Sequence, residues 1–309
     1  MADPTRSSSI RASSTTRALD EAAVDAALRR LARQAQAPWL HGEVARRMAE
    51  RLVIVKLQPK VVVDWCGHTG GGAGLLDAAY PKARRVVVEA SDALLVRSRA
   101  AADAPWWSAR RWGRAAECRR DDPAPGSAQL LWANMVLHAV ADPPALLGRW
   151  QRVLAPDGFV MFSSFGPGTL SELRSLYRQL GWPTPAAEFV DMHDLGDMLV
   201  QAGFADPVMD QETLTLTWDS PQALLAELRG LGANASPARA PGLRTPRWRE
   251  RLHAGLKTLA GPDGRLRLSF EIVYGHAFKA TPRAALKAET AVSLDDMRRL
   301  LRAERMPRA

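Results

Sequence analysis

The chain has 309 residues, 47% hydrophobic and 24% charged, and no run of about 18 uncharged apolar residues, which argues against a disordered protein and against a membrane span. Its 42 Lys and Arg residues exceed its 33 Asp and Glu residues, and the net charge of +9 suits an acidic partner, either nucleic acid or an acidic carrier protein. Its two cysteines are too few for a disulfide framework or a zinc site of the usual spacing, and they predict a reducing cytoplasm.

The first 56 residues divide into a tail and a helical segment. Residues 1–18 are rich in Ser, Thr and Arg and lack the apolar stretch of a secretory signal, so we predict a flexible tail in preference to a transit peptide. In residues 19–56, apolar side chains recur at intervals of three and four on both sides of Pro38. This spacing predicts two helices that belong to a domain spanning residues 19–280.

Residues 57–165 alternate short apolar runs with segments of helical periodicity. The predicted strands are KVVVDW, RRVVVEA, AQLLWANM and GFVMFSSF. The helical segments between them begin at a capping residue, either Ser91 or Asp92, or at prolines such as Pro143. This order is typical of an α/β fold with a parallel sheet covered on both faces, in which a ligand lies at the carboxyl ends of the strands.

The rest of the chain departs from that order. Residues 166–264 contain predicted helices, one of which ends at Gly203, and the segment PVMDQETLTLTW, predicted as one long or bent strand. Strong alternation in GRLRLSFEIVYGHAFKA, residues 264–280, predicts a final strand. Residues 281–309 form a polar tail in which LDDMRRLLRAERM is compatible with an amphipathic helix.

The stretch VVVDWCGHTGGGAGLL joins the first predicted strand to the next helix. Its glycines would let the main chain approach a ligand closely. Asp64 ends the first strand, and Glu89 ends the second strand 25 positions later. That separation is close to the roughly 20 residues expected before an acid that accepts hydrogen bonds from ribose hydroxyls. The stretch therefore predicts a nucleoside-binding loop.

These features resemble class I S-adenosylmethionine-dependent methyltransferases, whose first motif is acid-x-Gly-x-Gly-x-Gly. Without gaps, Asp64 matches the acid and Gly70 the last glycine, while Cys66 and His68 replace the other two. With a one-residue deletion, Cys66 and Gly67 match a common Cys-Gly pair instead. The His68 imidazole would either block the site of the methionine moiety or point outward.

From about residue 40 to residue 280 the chain is similar to one branch of that class, the malonyl-[acyl-carrier protein] O-methyltransferases. The most specific segments are FGPGTLSEL, FVDMHDLGDMLVQAGFADPVMD, ALLAELRGLGAN and FEIVYGHAFK. The resemblance implies a Rossmann-like, mostly parallel seven-stranded sheet with an antiparallel last strand and a helical insertion. It divides the domain into N-terminal helices (19–56), a cofactor-binding half (57–165) and substrate-side helices with a strand (166–264).

The resemblance also implies which residues bind S-adenosylmethionine. Glu89 would accept from the ribose hydroxyls, Asn134 would face the methionine portion and Glu117 is a candidate for the adenine side. The full implied set is Asp64, Gly67, Gly70, Glu89, Glu117 and Asn134. Structural alternatives stay open, because Asp64 would also serve as a turn cap, Glu89 as a surface strand end and Asn134 as a partner for main-chain groups.

The substrate implied by the resemblance is the free carboxylate of a malonyl thioester. A carboxylate calls for a cation, and Arg229 is preferred over Arg174 and Lys279. Tyr274 and His276 are candidates for lining the acceptor pocket. An ionised carboxylate attacks an activated methyl group without a strong general base, so we predict neither a catalytic base nor a metal.

Three departures from the family pattern leave two interpretations open. No tyrosine occurs between residues 19 and 39, where the family usually carries a Tyr-Asp pair, and His138-Ala139 stands where it usually carries Gln-Trp. With the altered loop, these changes all surround the cofactor. One interpretation is an active methyltransferase of biotin synthesis that acts on a carrier-protein or coenzyme A thioester. The other is a degenerate, non-catalytic paralogue that binds a carrier protein or has a regulatory role.

A nucleic-acid enzyme is disfavoured. Basic charge is the main feature in its favour, and no Asn-Pro-Pro-Tyr-like motif for base flipping is present. The tryptophans 106, 107 and 112 interleave with arginines, but we interpret them as packing and loop anchors rather than as a stacking platform.

Overall fold

The computed structural model describes residues 17–103, 116–232 and 234–281. The remaining residues, which include most of both predicted tails, the C-terminal amphipathic segment and Trp106, Trp107 and Trp112, lie outside the described residues. Among the helices of the described segments, none combines the length and the apolar character needed to cross a membrane.

Seven strands of the described residues form one sheet. They are β1 Val61–Trp65, β2 Arg84–Val88, β3 Glu117–Arg119, β4 Ala128–Ala133, β5 Leu154–Phe165, β6 Phe204–Trp218 and β7 Leu266–Lys279. Their order across the sheet is β3-β2-β1-β4-β5-β7-β6. The first five pair in parallel, whereas β7 runs antiparallel to both β5 and β6. The predicted mixed sheet with an antiparallel last strand is therefore confirmed.

Helices connect and cover these strands. In chain order they are α1 Glu21–Leu31, α2 Trp39–Arg51, α3 Gly67–Gly70, α4 Ala73–Ala79, α5 Asp92–Ala102, α6 Pro143–Val153, α7 Ser171–Gln179, α8 Met192–Gln201, α9 Pro221–Gly230 and α10 Pro246–Lys257. The predicted cap at Ser91 is confirmed, because its hydroxyl accepts from the Leu94 N–H at 3.3 Å. Pro143 stands in the first turn of α6, where its missing N–H costs no helical hydrogen bond.

The two faces of the sheet bury separate apolar clusters, since successive side chains of a strand point to opposite faces. One cluster contains Val62 and Leu130, and the other contains their neighbours Val63 and Leu131. Helices α2, α7 and α10 pack on the first cluster, while α6 and α8 pack on the second. Burial on both faces explains why β1 and β4 are continuous apolar runs in the sequence.

The long strand β6 is bent near its start. Its register against β7 shifts between Ala205 and Val208, and Asp206 adopts a φ of 49° there. The sequence predicts one long strand or a bent one for this segment. The structure shows one strand with an irregularity near its amino end.

Candidate cofactor and acceptor sites

The loop after β1 turns sharply at Cys66. This residue lies in the left-handed region (φ 56°, ψ 45°), where a side chain costs about 1–2 kcal/mol relative to glycine. The turn is held from both sides: the Cys66 N–H donates to the Val88 carbonyl at 2.7 Å, and the Cys66 carbonyl accepts from the Gly70 N–H at 2.9 Å. The chain therefore makes the tight turn that the glycine motif serves, with a thiol in place of the first glycine.

Glu89, directly after β2, anchors this loop. Its Oε1 accepts from the His68 N–H at 2.8 Å and from the Ser98 hydroxyl at 2.6 Å. Its Oε2 is buried and has no hydrogen-bond partner among the described residues. Burial raises the pKa of Glu89, whose side chain is 2% exposed, while its two hydrogen bonds oppose that rise. One buried carboxylate oxygen is thus available to a ligand donor.

Asp64 lies beneath the same loop. A Cβ placed on Gly67 would come within 2.7 Å of the Asp64 Oδ2, so only glycine fits over this carboxyl group. Burial raises the pKa of Asp64 to about 7, against the opposing charge of Arg85, whose Nη1 is 3.5 Å from Oδ2. Both carboxyl oxygens of Asp64 are buried without a hydrogen-bond partner among the described residues, so Asp64 contacts the loop through packing against Gly67.

Asn134 braces the loop against the N-terminal helices. Its Nδ2 donates to the carbonyls of His41 at 2.7 Å and Gly70 at 2.6 Å, and its Oδ1 accepts from the Ser163 hydroxyl at 2.6 Å. Every polar atom of this buried side chain is engaged with the protein. The structure favours the interpretation in which Asn134 satisfies main-chain groups, because both of its N–H donors are used and the side chain is fully buried.

Two cavities meet beside the loop, each of about 440 Å³. The second cavity lies at the carboxyl ends of β1 and β2, and its lining includes Glu89 and Arg120. The first cavity is mostly apolar, and it lies between the carboxyl ends of the strands and the helices α1, α7 and α9. Four residues line both cavities: Cys66, Ala90, Val136 and Val140. Two ligands bound one in each cavity would therefore touch at this boundary.

The first cavity also has polar lining. His41 and His138 lie on the sheet side, and Arg229 lies on α9 as an exposed residue. Of the three predicted carboxylate-binding cations, Arg229 alone lines a cavity. Arg174 donates to the Ala187 carbonyl at 2.6 Å, and Lys279 donates to the Leu154 carbonyl at 2.7 Å.

Seven of the nine predicted site residues are absent from the lining of both cavities. Four of them, Asp64, Gly67, Gly70 and Asn134, lie in or against the loop described above, and the other three lie elsewhere. Glu117 pairs on the surface with Arg84 at 2.8 Å and Arg119 at 3.2 Å, because β3 is an edge strand. The Tyr274 hydroxyl donates to Glu212 Oε1 at 2.6 Å. His276 pairs with Met161 in the middle of β5 and lies well back from its carboxyl end.

The His68 imidazole does not block the site. His68 is absent from the lining of both cavities, and its main-chain N–H serves Glu89. The ring is half-buried, and burial lowers the pKa of His68. Among the described residues, no group of three His, Cys, Asp or Glu side chains is placed to hold a metal ion.

Sequence reasoning missed two residues of this region. His41 and Arg120 line the first and second cavity respectively. Arg120 donates to the Glu89 carbonyl at 2.9 Å. Both positions result from contacts between distant segments, and neither residue stands in a motif that would have identified it.

Comparison with known proteins identifies relatives along most of the chain. The family model described as a methyltransferase domain matches residues 32–206. The malonyl-[acyl-carrier protein] O-methyltransferase of Laribacter hongkongensis is 38% identical over 260 residues, which cover 82% of this chain and 87% of the relative. The protein of that name from Halorhodospira halophila is 39% identical over 255 residues, covering 80% of this chain and 84% of the relative.

Solved structures share the fold at low sequence identity. The YcgJ protein of Bacillus subtilis superposes with a TM-score of 0.54 at 10% identity, covering 77% of this chain and 99% of that one. A chain from Bacillus halodurans superposes with a TM-score of 0.53 at 14% identity, covering 76% of this chain and 100% of that one. At these identities the likeness concerns the architecture alone.

Proposed function

The chain belongs to the malonyl-[acyl-carrier protein] O-methyltransferase family, and we propose that it transfers a methyl group from S-adenosylmethionine to the free carboxylate of a malonyl thioester in biotin synthesis. The observation that carries this proposal is the meeting of a cavity that contains Glu89 with a mostly apolar cavity. Direct transfer requires donor and acceptor to touch, and the shared boundary at Cys66 and Val136 provides that contact.

The second cavity fits the nucleoside of the cofactor. The free Oε2 of Glu89 suits a ribose hydroxyl, because an ionised carboxylate only accepts hydrogen bonds and a diol donates them. The turn at Cys66 and the loop through Gly70 would hold the amino-acid end. When bound, the cofactor supplies a methyl group activated by the positive charge on its sulfur.

The protein's part is to position and desolvate the acceptor. An ionised carboxylate is the nucleophile, so no side chain has to remove a proton. The apolar walls of the first cavity, which include Leu173 and Phe165, exclude water and so weaken the hydration of the carboxylate. Arg229 at the exposed rim of this cavity offers a positive charge that attracts the malonyl carboxylate as the acyl group enters.

The malonyl group reaches the protein as a thioester of an acidic acyl carrier protein. Helix α10 exposes Arg247, Arg249, Arg251 and Lys257 against one exposed acid, Glu250. This helix packs on α9, which carries Arg229. A basic surface beside the mouth of the acceptor cavity suits an acidic partner whose thioester arm enters that cavity. Nucleic acid is not part of the proposal, and the cytoplasmic location stays a prediction.

A methyl-transfer assay tests the proposal directly. Purified protein incubated with methyl-labelled S-adenosylmethionine and malonyl-acyl carrier protein should yield a base-labile methyl ester. A parallel reaction with malonyl-coenzyme A compares the two carriers of the malonyl group. We expect a lower KM for malonyl-acyl carrier protein than for malonyl-coenzyme A. Absence of transfer to both, together with absence of cofactor binding by calorimetry, would favour the non-catalytic paralogue.

A further inference from the structure

Two imidazoles border the acceptor cavity, His41 on α2 and His138 in the turn after β4. Their ring centroids are 6.2 Å apart. Each has one buried ring nitrogen without a hydrogen-bond partner among the described residues, Nε2 in His41 and Nδ1 in His138. A buried polar atom without a partner costs free energy unless a ligand supplies one.

The free nitrogen of His41 is an acceptor. Its Nδ1 is 2.8 Å from the Thr69 carbonyl oxygen, and a carbonyl oxygen only accepts, so Nδ1 carries the proton. Burial lowers the pKa of His41 to about 4, and the ring is therefore neutral at physiological pH with a lone pair on Nε2. A lone pair repels a carboxylate oxygen, so His41 is unsuited to bind the acceptor's charged end.

The free nitrogen of His138 is not restricted in this way. No hydrogen bond within the described segments engages either ring nitrogen, so the neutral ring can carry its proton on the nitrogen that meets a ligand. Phe165 packs against the ring at a centroid distance of 4.5 Å. His138 lies between Val136 and Val140, the residues that border both cavities. A group held by His138 would thus lie close to the point of transfer.

We propose that the neutral imidazole of His138 donates a hydrogen bond from its ring N–H to one oxygen of the malonyl carboxylate and leaves the other oxygen free to take the methyl group. This inference rests on the proposed function. It makes His138 a substrate-binding residue, which distinguishes a carboxylate from an uncharged group of the same shape. No proton moves in this contact.

The groups around His138 favour a neutral donor over an imidazolium. Burial lowers the pKa of His138 well below its usual range, and the neighbouring His41 and the Arg17 guanidinium add to that effect. Arg17 also fixes the turn, because its Nη1 donates to the carbonyls of His138 at 2.9 Å and Leu137 at 3.3 Å. The turn that carries the ring is therefore held in place before the substrate enters.

The test compares two acyl groups of the same shape on the same carrier. Isovaleryl-acyl carrier protein replaces the malonyl carboxylate by an isopropyl group. Calorimetry of both with protein saturated in S-adenosylhomocysteine gives the preference of the cavity for a carboxylate. We expect His138→Leu to reduce that preference by about tenfold or more, the usual effect of a hydrogen bond to a charged group. His138→Gln, which keeps an N–H donor, should restore most of it.

Two further variants keep the outcome decisive. His138→Phe retains the contact with Phe165 and should show the same reduced preference. It therefore takes the place of His138→Leu if the leucine variant folds poorly. His193→Leu removes an exposed histidine of α8 and should leave the preference unchanged. The preference should also stay constant between pH 6 and 8, because a neutral donor does not titrate there.

The outcomes separate this inference from the proposed function. If wild-type protein forms no methyl ester, the proposed function fails whatever the binding data show. If ester forms but His138→Leu and His138→Phe keep the wild-type preference, the assignment of His138 is overturned. A preference that disappears as the pH rises through 6 to 7 would indicate an imidazolium and would overturn it as well.

Discussion

The main-chain N–H of His68 donates to Oε1 of Glu89 at 2.8 Å, so a single hydrogen bond joins the altered loop to the end of β2. The Ser98 hydroxyl occupies the same oxygen, and Oε2 is left without a partner in the part of the chain that the structure describes. In the proposed function Glu89 therefore has two tasks, one oxygen for the loop and one for the ligand. The replacement at position 68 does not disturb this, because the contact uses the main chain.

Changes at Glu89 should separate these tasks. We expect Glu89→Gln to weaken S-adenosylhomocysteine binding about tenfold, through loss of a charged acceptor, and Glu89→Ala to weaken it further because the loop loses its anchor. Wild-type affinity should fall as the pH falls through the raised pKa of Glu89, since the protonated acid loses an acceptor oxygen. Calorimetry across pH 5–8 measures both effects. Glu50→Gln, an exposed acid paired with Arg46, serves as the control, and equal affinities in all variants would contradict the assignment.

The two loop glycines should tolerate alanine very differently. At Gly67 an added Cβ would meet Oδ2 of Asp64 at 2.7 Å and Cγ1 of Val87 at 3.0 Å, whereas at Gly70 the nearest atom is the Asn134 carbonyl oxygen at 3.5 Å. We expect Gly67→Ala to lower the free energy of unfolding by about 2 kcal/mol, as in overpacked cores. Gly70→Ala should cost under about 1 kcal/mol. Urea denaturation measures both, and an equal loss would show that the loop relaxes.

The sheet could be predicted from the sequence because its central strands are buried on both faces. In β1, Val62 and Val63 enter different clusters, and this produces an unbroken apolar run. Strand β3 has three residues, two of them Glu117 and Arg119, so it leaves no apolar pattern to detect. The same edge position explains why the predicted adenine-side role of Glu117 finds no support in its surroundings.

The candidate cofactor site could be predicted in part. The place of Glu89 beside the first loop could be predicted because it follows from one strand–helix–strand unit, and its role in binding the cofactor stays a prediction. The sequence left two roles open for Asn134, cofactor contact and main-chain partner. It could not decide between them, since the carbonyls that Asn134 binds belong to His41 and Gly70, 93 and 64 residues away in sequence. Every residue has a main-chain carbonyl, so the identities of His41 and Gly70 do not reveal that they bind Asn134. The turn at Cys66 was equally invisible, because its left-handed conformation favours glycine and the sequence has a thiol there.

Removal of the Asp64 charge should stabilise the fold at neutral pH. Burial raises the pKa of Asp64 from 3.8 to about 7, so between these values the unfolded chain releases a proton that the folded chain keeps. Stability contributed by the protonated acid is present at low pH and is lost as the pH rises toward 7. The advantage of Asp64→Asn in free energy of unfolding should therefore grow from pH 4 to 7.5, by up to about 4 kcal/mol.

Urea titrations of Asp64→Asn and wild type at several pH values check this dependence. Asp77→Asn, an exposed acid that pairs with the same Arg85, is the matched control and should show little change with pH. His41 has the opposite dependence, since its lowered pKa makes the fold less stable as the pH falls toward 4. The comparison between variant and wild type cancels that contribution. An advantage independent of pH would show that Asp64 is ionised in the fold at all these pH values.

Arg229 should act on the acceptor and leave the cofactor unaffected. It lines the first cavity but not the second, and it is exposed at the rim. An exposed cation contributes about 0.2–1 kcal/mol to an ion pair, so Arg229→Ala should raise the KM for malonyl-acyl carrier protein about two- to fivefold, with S-adenosylhomocysteine affinity unchanged. The increase should shrink as salt rises from 50 to 500 mM, because screening removes the same interaction from the wild type. Arg152→Ala on α6 is the control for net charge. A KM that rises equally in both variants would mean that total charge, and not the place of Arg229 at the cavity rim, attracts the carrier.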